Sequence, residues 1–226
     1  MKPSTLKSRE RTEFYQLDQG YARSVIEAEA GAVGGLVTLV ESSAFMQSVR
    51  MLFQCRGSVI LTGVGKAGLI GQKISATLAS TGTHSHFLHP TEAIHGDLGR
   101  IGSDDMVLAL SHSGKSDEIL RLIEPLKQRE IRLISIVGDS QSPLARHSDV
   151  ALCMGMQTEA CPHGLAPSVS TTCMLALGDA LALTGGYTHS DGVSAAAVGT
   201  EKDGFRQWRI GGRGRLDLGG GLSASA

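Results

Sequence analysis

The chain has 226 residues, 41% of them hydrophobic, and its 21 basic and 22 acidic residues give a formal net charge of −1. This length and hydrophobic fraction can form a sizeable core, which excludes disorder throughout the chain. The balanced charge disfavours binding to nucleic acid, and the apolar run at 173–183, interrupted by Gly178 and Asp179, is too short for a membrane span. Residues 1–16 lack the apolar core of a secretory signal. We therefore expect a cytoplasmic protein without nucleic-acid or membrane partners.

Helical and strand patterns alternate along the chain. Two amphipathic stretches, at 13–30 and 36–53, come first. Five short apolar runs then predict strands at 58–62, 84–88, 106–110, 132–137 and 149–153. Further helical periods lie at 69–80, 117–130 and 168–184. Because the apolar residues of the strands are consecutive, the fold class predicted is α/β, a doubly wound five-stranded parallel sheet flanked by helices.

The composition changes after Thr184. Of the 29 glycines, 11 fall in residues 185–226, and this segment has no sustained apolar period and ends like a flexible linker. We divide the chain into N-terminal helices at 1–55, a core at 56–184 and a Gly-rich tail at 185–226. The 4 cysteines form no CxxC pair, so neither a disulfide framework nor a metal site is expected.

The segment Gly63-Val-Gly-Lys-Ala-Gly68 follows the first predicted strand and opens a predicted helix, as a dinucleotide fingerprint does. The acidic residue that would hold a ribose is missing, because His89 stands near the end of the second strand. Glycines at such a turn still let the backbone approach a ligand, and helix amides favour an anion. Gly63, Gly65 and Lys66 are therefore candidate ligand contacts. The alternative is a tight turn with a solvated lysine.

The segment Ser111-His-Ser-Gly-Lys-Ser116 lies where the third strand ends and a helix begins. The hydroxyls of Ser111, Ser113 and Ser116, with Gly114 freeing the turn and backbone amides at the helix start, suit a phosphate monoester. Each serine alone also fits an ordinary helix cap. Three hydroxyls at the carboxyl end of one strand favour a ligand site, since ligands of open α/β sheets bind at that edge.

Two further segments carry polar candidates. Glu159 lies in a long loop after the fifth strand, and Ser170 and Thr171 stand near the start of the helix that follows. His95 lies after the second strand in a loop or short helix. The alternatives are a surface glutamate, helix caps and a structural histidine.

Together these motifs resemble the sugar isomerase (SIS) domain family and, within it, the arabinose 5-phosphate isomerases. The resemblance covers roughly residues 15–184. The segments that carry it, in order and spacing, are 63–68, 79–83, 89–99, 111–114 and 159–167. It implies reversible conversion of D-ribulose 5-phosphate to D-arabinose 5-phosphate through a cis-enediol, the entry to the 3-deoxy-octulosonate of lipopolysaccharide or capsule. No cofactor is needed.

The resemblance also assigns roles. Glu159 is the expected base for proton transfer between C1 and C2, Lys66 the electrophile that stabilises the enediolate, and Glu118 a second carboxylate. His95 is expected to approach the sugar, from its own chain or a neighbouring subunit, because family members assemble as tetramers. The phosphate-binding hydroxyls are expected at Ser111, Ser113 and Ser116.

The chain departs from the family at two places. The family usually has Asn and Glu at the positions of His112 and Lys115. Its later His-Pro-Gly-Gly motif, which holds a proposed catalytic histidine, is missing: the nearest stretch, at 205–212, has Arg209-Ile210 instead of His-Pro, and His189 lies too early. We also expect none of the nucleotide-sensing CBS domains that often follow this domain in the family. A divergent end and a shifted reading frame both fit this tail.

Two other functions stay open. A non-catalytic sugar-phosphate-binding module or sensor would account for the missing histidine. A nucleotide-dependent oxidoreductase would use the glycine loop, although the missing ribose carboxylate disfavours it.

Overall fold

The computed structural model describes residues 19–186, 216–217 and 223–224. Within these residues the helices are α1 (Gln19–Gly35), α2 (Val37–Val40), α3 (Ser43–Phe53), α4 (Gly65–Ser80), α5 (Pro90–Ile94), α6 (Asp117–Gln128), α7 (Pro143–His147) and α8 (Val169–Gly186). The strands are β1 (Val59–Gly63), β2 (Ser85–Phe87), β3 (Met106–Ser111), β4 (Arg132–Val137), β5 (Val150–Cys153), β6 (Leu216–Asp217) and β7 (Ser223–Ala224). A short 3₁₀ turn spans Asp97–Arg100.

The first five strands form one parallel sheet in the order β2-β1-β3-β4-β5. This confirms the predicted five-stranded parallel sheet. All residues of the central strands β1 and β3 are buried, which is why their sequences are apolar at consecutive positions. The strand order reverses between β1 and β3, and in open α/β sheets this switch point opens a crevice at the carboxyl ends of the strands.

Two apolar clusters cover the two faces of the sheet. Alternate residues of β1 separate them: Val59 and Leu61 pack with α3, α4 and α8, whereas Ile60 packs with α5, α6 and α7. The period-2 geometry of a strand sends successive side chains to opposite faces, so one strand contributes to both clusters. The helices therefore form a layer on each side of the sheet, as predicted.

Helices α4 and α8 lie side by side, and a close contact fixes their alignment. Gly178 has no side chain, and the fully buried side chain of Ile74 occupies the space where a Cβ at 178 would lie. The Lys73 ammonium donates to the Asp179 carboxylate at 2.6 Å, which confirms the same alignment at the surface. Both helices begin at the carboxyl edge of the sheet, so they run in the same direction.

Some observed boundaries differ from the predicted ones. Helix α4 begins at Gly65 rather than at residue 69, because its first turn is built from the glycine loop, which shows no apolar period. The predicted helix at 36–53 is broken near residue 42, where the Ser42 hydroxyl accepts a hydrogen bond from the amide of Phe45 and starts α3. Residues 13–18 of the first predicted helix, and most of the tail, lie outside the described residues.

Helix α8 continues to Gly186, into the segment that we assigned to the tail. Strands β6 and β7 pair antiparallel with each other. Across the described part of the chain, no single helix has both the length and the apolar character of a membrane span, although α1–α2 and α3 pass that test together as a pair bent by 78°.

Candidate functional site

The glycine loop joins β1 to α4 at the carboxyl edge of the sheet. Gly65 has a φ of +60°, a left-handed conformation that L side chains rarely adopt. Gly63 and Gly68 approach each other closely: a Cβ at 68 would lie 2.7 Å from the carbonyl oxygen of Gly63. The loop therefore needs these glycines for its own turn. Lys66, in the first turn of α4, is exposed beside it.

The serine loop joins β3 to α6, and its polar atoms are organised around a turn. The Oγ atoms of Ser111 and Ser116 lie 3.0 Å apart, and the amide of Gly114 donates to the Ser111 Oγ at 3.1 Å. The amide of Lys115 donates to the Ser113 Oγ at 3.2 Å. We call residues 111–116 the phosphate nest, after the ligand that the sequence leads us to expect there.

Ser116 is the N-cap residue of α6, yet its hydroxyl makes no capping hydrogen bond. The Ser116 hydroxyl lies 3.0 Å from that of Ser111 and can form a further hydrogen bond to a ligand. Gly114 is required in the nest, because its φ is +62° and a Cβ there would overlap the hydroxyl of Ser142. The N-termini of α4 and α6 and the positive charge of Lys115 favour an anion beside the phosphate nest.

The glycine loop and the phosphate nest lie next to each other because their strands are neighbours. Gly63, the last residue of β1, pairs with Leu110, which precedes Ser111 in β3. Lys66 and the nest therefore flank the crevice at the switch point of the sheet. Glu118 lies in the first turn of α6, just after the nest, and is partly buried.

The carboxylate of Glu159 is bound to the start of α8. Its Oε2 accepts hydrogen bonds from the amides of Ser168 (2.8 Å) and Val169 (2.9 Å). Its Oε1 accepts one from the amide of Ser170 (3.3 Å). These are amides that a helix leaves without an intrahelical partner, so Glu159 caps α8 from a position ten residues before its first residue.

This capping changes the acidity of Glu159. Burial is the largest single influence and raises the pKa, but hydrogen bonds from the Ser170 hydroxyl and the backbone amides of residues 168–170 together lower it below its ordinary value. The carboxylate is therefore ionised at neutral pH and is a weaker base than an ordinary glutamate.

Ser170 and Thr171 also bond within the protein. The hydroxyl of Ser170, which is 1% exposed, bonds to Glu159, and that of Thr171 donates to the carbonyls of Pro167 (3.0 Å) and Ser168 (2.9 Å). These hydroxyls thus stabilise the start of α8, the arrangement that the sequence analysis left open as the alternative to ligand binding.

The alignment of α4 and α8 places Glu159 near the same level as Lys66. Ile74 lies opposite Gly178, and Lys66 and Ser170 each precede their partner by eight residues. At ~1.5 Å of rise per residue, both first turns lie roughly 12 Å above that contact. The Glu159 cap is thus at the same edge of the sheet as the crevice.

His95 ends α5, which follows the edge strand β2, and it is exposed. Because β2 pairs with β1, His95 also belongs to the carboxyl edge of the sheet. His89 is engaged otherwise, since its Nδ1 accepts from the amide of Thr91 at 3.3 Å and caps α5.

The candidate side chains therefore fall into two groups. Within residues 19–186 the side chains of Lys66, Glu118 and His95 make no hydrogen bond or ion pair, whereas Glu159 is held by α8. No cluster of three side chains suited to a metal ion is found in the part of the chain that the structure describes. His189 and the stretch 205–212, which the family comparison singled out, lie outside the described residues.

Sequence reasoning missed one residue of this site. The ring Nε2 of His112 accepts a hydrogen bond from the amide of Gln157 at 3.2 Å and so joins the phosphate nest to the loop that carries Glu159. The only signal in the sequence was that His112 differs from the residue usual in the family.

The doubly wound parallel sheet with its switch point places the chain among the open α/β proteins, which bind ligands at the carboxyl edge of the sheet. The SIS domain model matches residues 51–184, more than half of the chain. The chain therefore belongs to the SIS domain family.

Named relatives agree. The chain is 45% identical to the arabinose 5-phosphate isomerase KpsF of Escherichia coli O6:H1 over 161 residues. These residues make up 71% of this chain and 49% of that protein. The chain is 44% identical over 177 residues to the arabinose 5-phosphate isomerase KdsD of Yersinia pestis, with 76% and 54% covered. The chain thus spans about half the length of these relatives.

Solved structures show the same architecture. An E. coli CFT073 protein in complex with arabinose 5-phosphate is 38% identical and superposes with a TM-score of 0.67, covering 75% of this chain and 92% of that one. A phosphosugar isomerase from Bacteroides fragilis, described as putative and involved in capsule formation, is 36% identical with a TM-score of 0.69, covering 74% and 88%.

Proposed function

We propose that this chain interconverts D-ribulose 5-phosphate and D-arabinose 5-phosphate through a cis-enediol, without a cofactor. The observation that carries the proposal is the pairing of β1 with β3, which puts the loop of Lys66 next to the phosphate nest at the carboxyl edge of the sheet. The similarity to arabinose 5-phosphate isomerases supports the choice of substrate.

The phosphate nest would hold the 5-phosphate. Ser111, Ser113 and Ser116 supply hydroxyls, and the backbone amides at the start of α6 supply further donors. Gly63 and Gly65 keep the adjacent loop free of side chains, so that the sugar can pass close to the backbone. Binding the phosphate at one end of a short sugar would place C1 and C2 at a fixed distance from it.

Proton transfer between C1 and C2 needs a base for the carbon acid and a positive group for the developing enediolate oxygen. We assign the oxygen to Lys66, whose ammonium has no partner in the described part of the chain. We keep Glu159 as the base, with Glu118 as the second carboxylate. His95 is assigned to the ring opening of the aldose.

The capping of α8 bears directly on the choice between the carboxylates. The amide hydrogen bonds stabilise Glu159 as the anion and so disfavour its accepting a proton, whereas the Glu118 side chain makes no such hydrogen bond in the described residues. Glu159→Gln and Glu118→Gln separate the two roles. The variant of the base should lose turnover and retain the sugar phosphate, and the other should lose less. Equal, small losses in both variants would contradict a carboxylate base in either position.

A non-catalytic sugar-phosphate-binding module is the second candidate, favoured by Arg209-Ile210 in place of the family's His-Pro. The test is to incubate the purified chain with D-arabinose 5-phosphate and measure ribulose 5-phosphate, with calorimetry of binding in parallel. Lys66→Ala is the background control, and Lys127→Ala, on the exposed side of α6, is the matched surface control.

Turnover in wild type and Lys127→Ala but not in Lys66→Ala would support the isomerase. Binding without turnover in the wild type would support the module instead. Ser113→Ala should weaken binding of D-arabinose 5-phosphate in both cases, because the phosphate nest is common to both functions. Unchanged affinity in Ser113→Ala would contradict the assigned phosphate position.

We also propose that the chain assembles as a homotetramer in the cytoplasm. The support is α1, in which no side chain is buried and the apolar side chains of Ile26 and Tyr21 are 66% and 44% exposed. A helix with such exposed apolar groups gains by packing against another subunit. Sedimentation velocity of the purified chain tests the tetramer, and a monomer would contradict it.

A further inference from the structure

Three loops at the carboxyl edge of the sheet meet at His112. Its ring Nε2 accepts a hydrogen bond from the amide of Gln157, 45 residues away, at 3.2 Å. Its backbone carbonyl accepts one from the amide of Gly138 at 2.8 Å. One residue of the phosphate nest therefore contacts both the loop after β4 and the loop after β5.

The imidazole ring is held closely. Gly138 makes room for it, because a Cβ at 138 would lie 2.6 Å from the ring Cδ2 and 2.8 Å from Nε2. Gln157 is fixed on its own side, since its side-chain amide donates to the carbonyl of Met154 at 2.7 Å. The contact between ring and amide thus joins two locally ordered segments.

The chemistry of the contact defines what the side chain at 112 must present. The amide N–H of Gln157 donates, so the ring offers Nε2 as the acceptor in this contact. The contact is therefore specific for a side chain that presents an acceptor at the Nε2 position.

We propose that His112 is a positioning residue that sets the distance between the phosphate nest and Glu159. Ser111 and Ser113 flank it in the nest, and Glu159 follows Gln157 by two residues. A single hydrogen bond thus connects the group that holds the phosphate to the segment that presents the carboxylate. The inference rests on the proposed use of these two groups on one sugar phosphate.

This role predicts a separation between binding of phosphate and binding or turnover of the sugar. Loss of the acceptor would leave the nest intact, since its hydrogen bonds join residues 111, 113, 114, 115 and 116 to one another. It would remove the hydrogen bond between the nest and the backbone of Gln157, so that these two segments could shift relative to each other. A displacement of about 1 Å between a substrate and a catalytic group can lower turnover by on the order of 100-fold.

Two variants of the full chain test the proposal. His112→Phe keeps an aromatic ring and removes the acceptor. His112→Gln restores one, because the Gln Oε1 is as many bonds from Cβ as the imidazole Nε2. His84→Phe is the matched control, since it makes the same change at an exposed position at the opposite edge of the sheet, just before β2.

The first measurement is amide hydrogen exchange of residues 154–159, which needs no activity. We expect faster exchange in His112→Phe and exchange close to that of the wild type in His112→Gln and His84→Phe. The second measurement is kinetics with D-arabinose 5-phosphate, where kcat/KM should fall by about 10- to 100-fold in His112→Phe and recover in His112→Gln.

If the wild type shows no turnover, the isomerase proposal fails, and His112 is judged by calorimetry. His112→Phe should then bind D-arabinose 5-phosphate about 10-fold more weakly while its affinity for inorganic phosphate stays unchanged. Unchanged exchange in His112→Phe, or faster exchange with wild-type kcat and sugar-phosphate affinity, would overturn the positioning role. Equal weakening of both ligands would overturn it as well, because the nest itself would then have been damaged.

Discussion

The cap that Glu159 provides for α8 makes a quantitative prediction about stability. Glu159→Ala removes the acceptor of three backbone amides, at 2.8, 2.9 and 3.3 Å. Loss of an N-cap costs about 0.5–2 kcal/mol, and loss of a negative charge at a helix N-terminus costs about 0.3–1 kcal/mol more. We expect a decrease of about 2 kcal/mol in the free energy of unfolding. For a chain of this size that lowers Tm by about 4–8 °C.

The stabilisation by Glu159 depends on pH, and the direction follows from its pKa. The pKa of Glu159 is lowered in the folded state, so its stabilisation is complete above the ordinary glutamate pKa of about 4.3 and is lost as the pH falls through the lower folded value. Glu159→Gln keeps one acceptor oxygen, but it loses the charge and puts an NH2 group, which cannot accept, where the second oxygen bonds an amide; it should cost about 0.5–2 kcal/mol at pH 7. The difference in free energy of unfolding between the wild type and Glu159→Gln should become smaller in acid, where Glu159 of the wild type becomes protonated.

Thermal unfolding followed by circular dichroism at pH 7 and at stepwise lower pH measures both effects. Glu27→Ala is the control, because it removes a carboxylate whose ion pair with Arg23 is exposed at the surface and contributes little. A Tm of Glu159→Ala within 1 °C of the wild type at pH 7 would refute the cap. A Glu159→Gln deficit that stays constant into acid would refute the charge contribution.

Three other predictions concern single positions. Gly114→Ala should lower the free energy of unfolding by about 2–5 kcal/mol and weaken phosphate binding, because the new Cβ would overlap the Ser142 hydroxyl in addition to the strain of a positive φ. Gly164→Ala is the control, since Gly164 has the same φ of +62° with open space around it, and should cost only about 1–2 kcal/mol. Equal losses of both variants in thermal unfolding would contradict the overlap. Gly178→Ala should lower the free energy of unfolding by about 1–3 kcal/mol, because the new Cβ would overlap the side chain of Ile74. Adding Ile74→Val, which shortens that side chain, should recover part of the loss. If a double-mutant cycle measured by denaturant unfolding finds the two effects additive, the contact is contradicted. Cys161 should be the first thiol alkylated by iodoacetamide at pH 7, because backbone hydrogen bonds, of which the one from Ala166 has the largest effect, lower its pKa. Mass spectrometry that finds another cysteine labelled first would contradict this prediction.

The phosphate nest illustrates how much of the site the sequence predicts. Serines and a glycine between an apolar strand and an amphipathic helix predict an anion-binding turn from local chemistry alone, and in the structure the Oγ atoms of Ser111 and Ser116 lie 3.0 Å apart in this segment. The assignment of its ligand stays a prediction. The start of α4 was placed too late, because the glycines that begin the helix carry no apolar side chain to mark it.

Glu159 shows where sequence reasoning reached its limit. Its position just after a strand predicted a carboxylate near the site, but nothing local indicated that its oxygens would bind amides nine to eleven residues further on. The loop between them had to fold back before the cap existed. The same holds for His112 and Gln157, whose contact depends on how two loops from different strands are placed.

The sequence by itself determined the five strands, the longer helices and the layering, but not the short helices α5 and α7, because periodicity and consecutive apolar positions are local properties that report burial and need several turns to show. Only the tertiary structure decided the strand order, which makes β1 and β3 neighbours and brings Lys66 to the phosphate nest. It also decided the alignment of α4 with α8 through Ile74 and Gly178. These contacts join residues far apart in the chain, and they form only when all the layers pack into one core.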